Sequence, residues 1–387
     1  MNDRPYLRRV TYQHTIEYEI VNSPNLFSPQ NPALLSGGRI ENARRFVVID
    51  GNVHRFYATQ IQDYFAHHQT EVKMVSFPGG EEYKTLESYL SIAKELDAFP
   101  IHRRDEPIIA IGGGVLTDVV GFVASSYRRG LPYIKVPTTL MGYVDASIGI
   151  KTGINFNNNK NRLGAFVPPL KVLLDRSFLK TLPRRHILNG TGEIIKLAVI
   201  KDAVLFHLLE EYGAKSVAAH YQNEEGSVLL ERAINGMIEE LENNLLEEEL
   251  ARRVDFGHTF SYGLETRPGA QLFHGEAVLL DVALSTMIAV GRKLISDDEV
   301  GRLFRMIADL GIYLETSLLE VNLLWQSLQE RVYHRNGMQR VPLPNGIGNC
   351  VFVNDVCLDE IISAVNGMVD RIGCEPWHPL KMPIIEK

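Results

Sequence analysis

Cysteine and tryptophan are scarce: three of the former and two of the latter occur in 387 residues. Cys350, Cys357 and Cys374 are odd in number, fall late in the chain and show no C-x-x-C spacing. That excludes a disulfide framework and a zinc knuckle, and makes a reducing compartment the expectation. No run of about 20 uninterrupted apolar residues occurs, as a membrane span would require. The best candidate, Ala277 to Val290, is short and carries Asp281. The N-terminal MNDRPYLRR has basic residues but no apolar stretch behind it, so no secretory signal is expected. Positive charge is not in excess either. A net charge of −7 argues against a general nucleic-acid binder, which needs a basic face to displace counterions from phosphates. What is present, 45% hydrophobic and 22% charged residues, excludes a disordered or fibrous chain. At roughly 100–200 residues per domain, two domains with sizeable cores are expected. These observations predict a soluble cytoplasmic protein with neither nucleic acid nor membrane as partner.

The first half alternates short β-branched runs with amphipathic helical stretches. Phe46 to Asp50 reads as a buried strand and Val53 to His67 as the helix after it. Val72 to Phe77 follows, then a helix starting near Thr85, then Ile108 to Ile111 running into three glycines and the helical Val115 to Ser126. Tyr133 to Val136 and Val172 to Leu174 complete the set. Strands of this length alternating with helices imply βαβ crossovers and a mostly parallel sheet. Such sheets bind ligands outside the carboxyl ends of their strands. Asp50, Gly112 to Gly114 and Pro137-Thr138-Thr139 all fall at those ends. After Pro183 the periodicity is helical, which places a junction near residue 183 and divides the chain into 1–183 and 184–387, with a site expected in the cleft between two lobes. The acidic stretch Ile238 to Leu250 reads as a solvated helix face.

Three constellations carry chemistry. Gly112-Gly113-Gly114-Val115-Leu116-Thr117-Asp118 joins a strand to a helix, where glycines let a phosphate approach backbone N–H groups at the helix N-terminus. It lacks the last glycine of G-x-G-x-x-G, and a tight turn without ligand reads equally well. Asp50 is placed to accept ribose hydroxyls or to cap the helix after it. The second constellation, Arg128 to Gly164, gathers Arg128, Arg129, Lys151, Lys160 and Arg162 among Asp145, Asn155, Asn161 and close-packing glycines, which suits a bound anion such as phosphate better than a solvated loop. The third is Glu193 in NGTGEIIK, His258 in DFGHTF and His274 in FHGE. One carboxylate and two imidazoles suffice to hold zinc with positions open for substrate, although the spacing matches no zincin or finger pattern.

Taken together, these motifs resemble the sugar phosphate cyclase superfamily, whose founding member is 3-dehydroquinate synthase. From Asp50 to about Asp355 the blocks GGEEYK, GGGVLTDVVGFVASSYRRG, PTTL, DASIGIKTGIN, KNRLGAF, DRSFLKTLP, NGTGEIIK, FGHTF, FHGEAV and PLPNGIG occur in order. The resemblance implies an α/β fold: an N-terminal Rossmann-like, mostly parallel sheet lobe holding NAD and a C-terminal all-helical lobe, dehydroquinate synthase-like, with zinc in the cleft and a homodimer as the assembly. It places Asp50, Glu81, Lys84, Gly113, Gly114, Asp118, Thr138 and Thr139 around NAD, with Phe178, Leu179 and Thr181 completing the pocket and Lys151 and Lys160 reaching the cofactor. Glu193, His258 and His274 would hold zinc, for which cobalt could substitute. Asp145, Lys151, Lys160, Asn161 and Lys196 would surround a sugar phosphate, with Arg129 reaching the neighbouring subunit's site.

Dehydroquinate synthases carry a second histidine four residues after the first and an arginine for the substrate carboxylate. Here those positions hold Tyr262 and Ala251, and Asp255 replaces an asparagine. A site without its carboxylate anchor binds a carboxylate-bearing substrate poorly, unless Arg252 or Arg253 supplies a shifted anchor. GIKTGIN, KNRLG, VDFGHTF and QRVPLPNGIGNCVFVNDV instead resemble the 2-epi-5-epi-valiolone synthase branch, which cyclises sedoheptulose 7-phosphate, although that branch usually has proline where Tyr262 stands. The resemblance implies transient oxidation by NAD, β-elimination of phosphate, return of the hydride and intramolecular aldol closure. A dehydroquinate synthase, another sedoheptulose 7-phosphate cyclase and a metal-dependent polyol dehydrogenase remain as alternatives.

Overall fold

The computed structural model describes residues 8–37, 43–157, 159–267 and 272–372; Cys374 lies outside them. The N-terminal half contains β1 (Glu19–Asn22), β2 (Arg45–Asp50), α1 (Gly51–His67), β3 (Val72–Phe77), α2 (Leu86–Ala98), β4 (Ile108–Gly112), α3 (Gly114–Ser126), β5 (Tyr133–Pro137), β6 (Lys151–Phe156), β7 (Asn159–Phe166) and β8 (Lys171–Leu174). β2, β4 and β5 are buried almost throughout, as the β-branched runs require of strands covered on both faces. Six strands form one parallel sheet in the order β1-β8-β5-β4-β2-β3. The chain runs from β2 outward to β3 and returns to β4 on the other side of β2, so the direction of winding reverses between β2 and β4. Asp50 and the Gly112–Gly114 turn end those two strands and flank the crevice that such a reversal opens. Separate apolar cores cover the two faces of the sheet.

The C-terminal half contributes α4 (Arg184–Ile200), α5 (Ala203–Ala218), α6 (Glu224–Glu242), α7 (Ser261–Thr266), α8 (His274–Gly291), α9 (Asp297–Asp309), α10 (Val321–His334), β9 (Val341–Pro344), β10 (Cys350–Val353) and α11 (Leu358–Ile372). It is helical apart from β9 and β10, an antiparallel pair whose short run QRVPLPNGIGNCVFV gives little periodicity to read. The helix α8 is apolar on every side and 78% buried, which marks the core helix of this lobe.

The contact between α4 and α8 decides where the site forms. A Cβ on Gly192 would lie 2.7 Å from the Gly275 carbonyl oxygen, and one on Gly275 only 1.9 Å from that of Asn189. Glycine alone permits this approach, and each glycine adjoins a candidate metal ligand, Glu193 or His274. The Gly275 N–H donates to Asn189 Oδ1 at 2.6 Å. The first turn of α8 is pinned further by Glu276, which accepts from the Phe273 N–H at 2.8 Å and from Arg185 Nε at 2.7 Å.

One reading of the chain is corrected. The acidic stretch Ile238 to Leu250 is not one helical face, because α6 ends at Glu242 and the chain then folds back. Glu247 thereby pairs with Lys151, Nζ to Oε1 at 3.0 Å, and with Arg252. The basic segment Lys151 to Phe166 is a two-stranded antiparallel hairpin, β6 with β7.

Candidate metal and nucleotide site

Glu193 is fully buried on α4. His258 sits just ahead of α7 and His274 opens α8, and the three bring one ligand atom each within 4.8 Å of one another. His274 Nε2 and His258 Nε2 lie 3.4 and 3.8 Å from Glu193 Oε1 and 3.3 Å from each other. Each imidazole is oriented through its other nitrogen. His258 Nδ1 faces the Phe256 carbonyl at 3.1 Å, and His274 Nδ1 faces Glu265 Oε1 at 2.8 Å. Both Nε2 atoms thus face Oε1 of Glu193, whose other oxygen is ion-paired with Lys196. The donor set, one oxygen and two imidazole nitrogens with anchored outer nitrogens, fits a divalent transition metal.

The electrostatics follow the same demand. Burial and the adjacent Lys196 push His258 down to about 3. His274 is buried too, but its hydrogen bonds to Glu193 and Glu265 outweigh burial and raise it to about 10. Glu193 falls well below the usual carboxylate range, with Lys196 and the imidazoles overcoming its desolvation. Lys196, 1% exposed and ion-paired to Glu193, stays charged despite burial because Glu193, Asp145 and Asp255 surround it. Asp145 moves the other way: burial and Glu193 raise it.

The nucleotide side is built from strand ends. Gly113 begins α3 without a side-chain cap, leaving first-turn N–H groups free to face a ligand. A Cβ on Gly113 would meet Thr139 Cγ2 at 3.1 Å and one on Gly114 would meet Ala146 at 3.0 Å, so side chains there would fill the crevice. Asp50 caps α1, its Oδ1 accepting from the Asn52 N–H at 2.8 Å. Lys84 is buried and bridges Asp118 Oδ2 at 2.7 Å to Asn161 Oδ1 at 2.6 Å; Glu81 accepts from Asn155 at 2.8 Å. The hairpin is thus stitched to the crevice. Thr138 is buried, and Thr139 Oγ1 accepts from the Gly142 N–H at 3.1 Å. Phe178 and Leu179 turn into apolar cores, Phe178 against Tyr57 with ring centroids 5.1 Å apart. From that stretch Lys180 and Thr181 are exposed.

Lys151 reaches outward, with 65% of its side chain exposed and Glu247 as counter-ion. Lys160 pairs with Glu265. Arg129 is not brought to this cluster: it stands exposed after α3, at φ 64° beside Arg128 at φ 50°, with no ion pair among the described residues. Sequence reasoning missed Glu265, a single acid in no motif, and Glu247, one of three consecutive glutamates in the acidic stretch read as a solvated face. The signal for Glu265 was the need of a metal-ligating imidazole for an acceptor on its second nitrogen.

The two arginines considered as shifted carboxylate anchors are both engaged. Arg252 pairs with Glu247 and with Asp255 at 2.5 Å, and Asp255 also holds Arg331 at 3.2 Å and Arg335. Arg253 turns to Glu240 at 3.5 Å.

A nucleotide crevice on a parallel sheet, facing a Glu–His–His cluster on a helical lobe, defines the class. The 3-dehydroquinate synthase N-terminal model matches residues 74–189 and the C-terminal model residues 190–332, and the chain belongs to that family of sugar phosphate cyclases. Within it, the chain is 45% identical over 372 residues to a 2-epi-5-epi-valiolone synthase of Actinomyces sp., covering 94% of this chain and 98% of the relative. It is 46% identical over 361 residues to one from Streptomyces albus, covering 91% and 88%. The solved structure of ValA, the 2-epi-5-epi-valiolone synthase of Streptomyces hygroscopicus subsp. jinggangensis with NAD+ and Zn2+ bound, superposes with a TM-score of 0.90 at 43% identity, covering 94% of this chain and all of that one.

Proposed function

We propose that this chain converts sedoheptulose 7-phosphate to 2-epi-5-epi-valiolone with release of phosphate, holding NAD at the sheet edge and zinc on Glu193, His258 and His274. When bound, the nicotinamide supplies a reversible hydride acceptor and the cation a Lewis acid that lowers the pKa of a substrate hydroxyl. The chain's own residues do the rest. The Lys196 ammonium, kept charged by the carboxylates around it, donates to an oxyanion developing beside Glu193. The Asp145 carboxyl, raised by burial and by Glu193, carries a proton to and from the same place. Lys151 closes over the substrate from the rim, and Lys160 and Asn161 hold the phosphate in line for elimination.

The observation that carries the choice of substrate is at 251–253. Ala251 offers no charge, and Arg252 is tied to Glu247 and Asp255. The neighbouring guanidiniums of Arg252, Arg331 and Arg335 are all committed to Asp255 or Glu247, so a carboxylate brought there finds no uncommitted guanidinium, whereas a hydroxymethyl ketone needs none. The test is phosphate release by purified protein with NAD and zinc, offered sedoheptulose 7-phosphate and a heptulosonate phosphate side by side, with the carbocyclic product analysed by NMR and mass spectrometry. Turnover of the sugar acid in preference to sedoheptulose 7-phosphate would sink the assignment.

The same reading makes the protein a cytoplasmic homodimer. Supporting it, β7 presents an unpaired edge with Leu163 37% and Phe166 45% exposed beside Phe156 at 44%, a surface that natural proteins cover. Arg129 then has a neighbour's site to reach. Light scattering on the eluting protein decides: a monomer at micromolar concentration excludes it.

A further inference from the structure

Glu265 lies in the last turn of α7 in the helical lobe, yet it has partners in both lobes. Its side chain is 6% exposed. One oxygen, Oε1, takes the His274 Nδ1–H at 2.8 Å, and the other is paired with Lys160 Nζ on β7. A buried carboxylate thus divides its charge between a candidate metal ligand and the lysine placed to hold phosphate. The two partners differ in freedom. His274 is fixed by the α4–α8 interlock, whereas the Lys160 side chain is 27% exposed and sits on a hairpin strand whose residues are largely open to solvent.

We propose that Glu265 is a positioning residue that couples phosphate binding to metal binding, an inference that rests on the functional reading above. With no anion in the cleft, Lys160 is parked on Glu265. A phosphate dianion competes for that ammonium and draws it away. The full carboxylate charge then falls on the His274 Nδ1–H, which makes Nε2 the stronger donor to the cation. Binding free energies are reciprocal, so a cation on the triad tightens phosphate by the same factor. The arrangement ties assembly of the metal site to the presence of the group that will leave.

The test uses the full chain saturated with NAD and reads zinc affinity by competition with a chromophoric chelator at buffered free zinc, with and without inorganic phosphate. In the wild type, phosphate tightens zinc about 5-fold or more, the lower end of ordinary coupling between sites. Glu265→Gln keeps an oxygen acceptor for His274 but has no charge to redistribute: its zinc affinity falls about 10–100-fold, and added phosphate no longer changes it. Because Lys160 is released, inorganic phosphate itself binds this variant more tightly than it binds the wild type. Lys160→Met, a change on the exposed hairpin, shows the tight zinc affinity of the phosphate-bound wild type whether phosphate is present or not. A purely structural Glu265 would weaken both ligands together. The proposal is overturned if phosphate leaves wild-type zinc affinity unchanged, or if its effect survives in Glu265→Gln. Failure of the functional reading is seen separately, as absence of phosphate release from sedoheptulose 7-phosphate by the wild type, and these binding measurements do not depend on turnover.

Discussion

Replacing Gly275 by alanine tests whether the α4–α8 interlock places the metal ligands. The added Cβ would stand 1.9 Å from the Asn189 carbonyl oxygen and 2.8 Å from its carbon. Both obstacles are backbone of α4, so no rotamer change relieves them. The start of α8 must back away by roughly 1 Å, an overpacking strain of about 1–3 kcal/mol. His274 is the preceding residue and moves with it. A metal site tolerates errors of about 0.2 Å in its ligand distances, so a displacement of this size removes an imidazole from the set. We expect Gly275→Ala to lose at least about 100-fold in zinc affinity, the upper end of what even outer partners of a ligand contribute, while its circular dichroism stays native. Gly192→Ala meets the same wall from the other side, at 2.7 Å from the Gly275 carbonyl oxygen, and should lose less. Chelator competition provides the affinity and urea titration the stability. Wild-type zinc affinity in a folded Gly275→Ala protein would refute the reasoning.

Three further outcomes follow from particular side chains. Asp281 is fully buried and accepts from the backbone N–H groups of Phe260 at 2.5 Å and Ser261 at 2.9 Å. Asp281→Ala leaves two buried backbone donors unmatched and takes the acceptor of the Ser285 hydroxyl as well, costing about 2–4 kcal/mol in a urea titration and loosening the segment that carries His258. Lys135 is buried in the central strand β5, where desolvation lowers its pKa from 10.5 to about 8. The unfolded chain then binds the extra proton between those values, so stability relative to Lys135→Met rises by about 3 kcal/mol as pH goes from 8 to 10.5 and is flat below 8. Zinc held at about 100 times its dissociation constant should stabilise the wild type by about 2.7 kcal/mol over chelator-treated protein, whereas Glu193→Gln should show little difference.

The sheet was legible because buried parallel strands leave a mark that needs no context: FVVID and IIAIG are continuous apolar runs closed by Asp50 and Gly112, and YIKVP is one broken only by Lys135 and closed by Pro137. Thr85, read as the start of a helix, caps α2 by accepting from the Ser88 N–H at 3.3 Å. β1 left no such mark, since an edge strand exposed at both its ends needs only its pairing with β8. The hairpin β6–β7 was legible only as a cationic cluster suited to an anion, because β7 is largely solvent-exposed and gives no strand alternation to read. In the site, the motif residues Glu193, His258 and His274 were legible, whereas the close approach of α4 and α8 at Gly192 and Gly275 shows only in the fold. Glu247, one of a run of three glutamates, and Glu265, a lone acid outside any motif, were illegible because an acid acquires meaning only from the lysine or imidazole that the fold sets against it.

The central claim is that a borrowed hydride is handed back at a metal-bearing cleft while phosphate departs. Following reduced-cofactor absorbance and inorganic phosphate together during turnover of sedoheptulose 7-phosphate tests it most directly. The account predicts steady phosphate release far beyond the amount of enzyme-bound NAD with no net accumulation of NADH. Stoichiometric NADH accumulation without phosphate would contradict it.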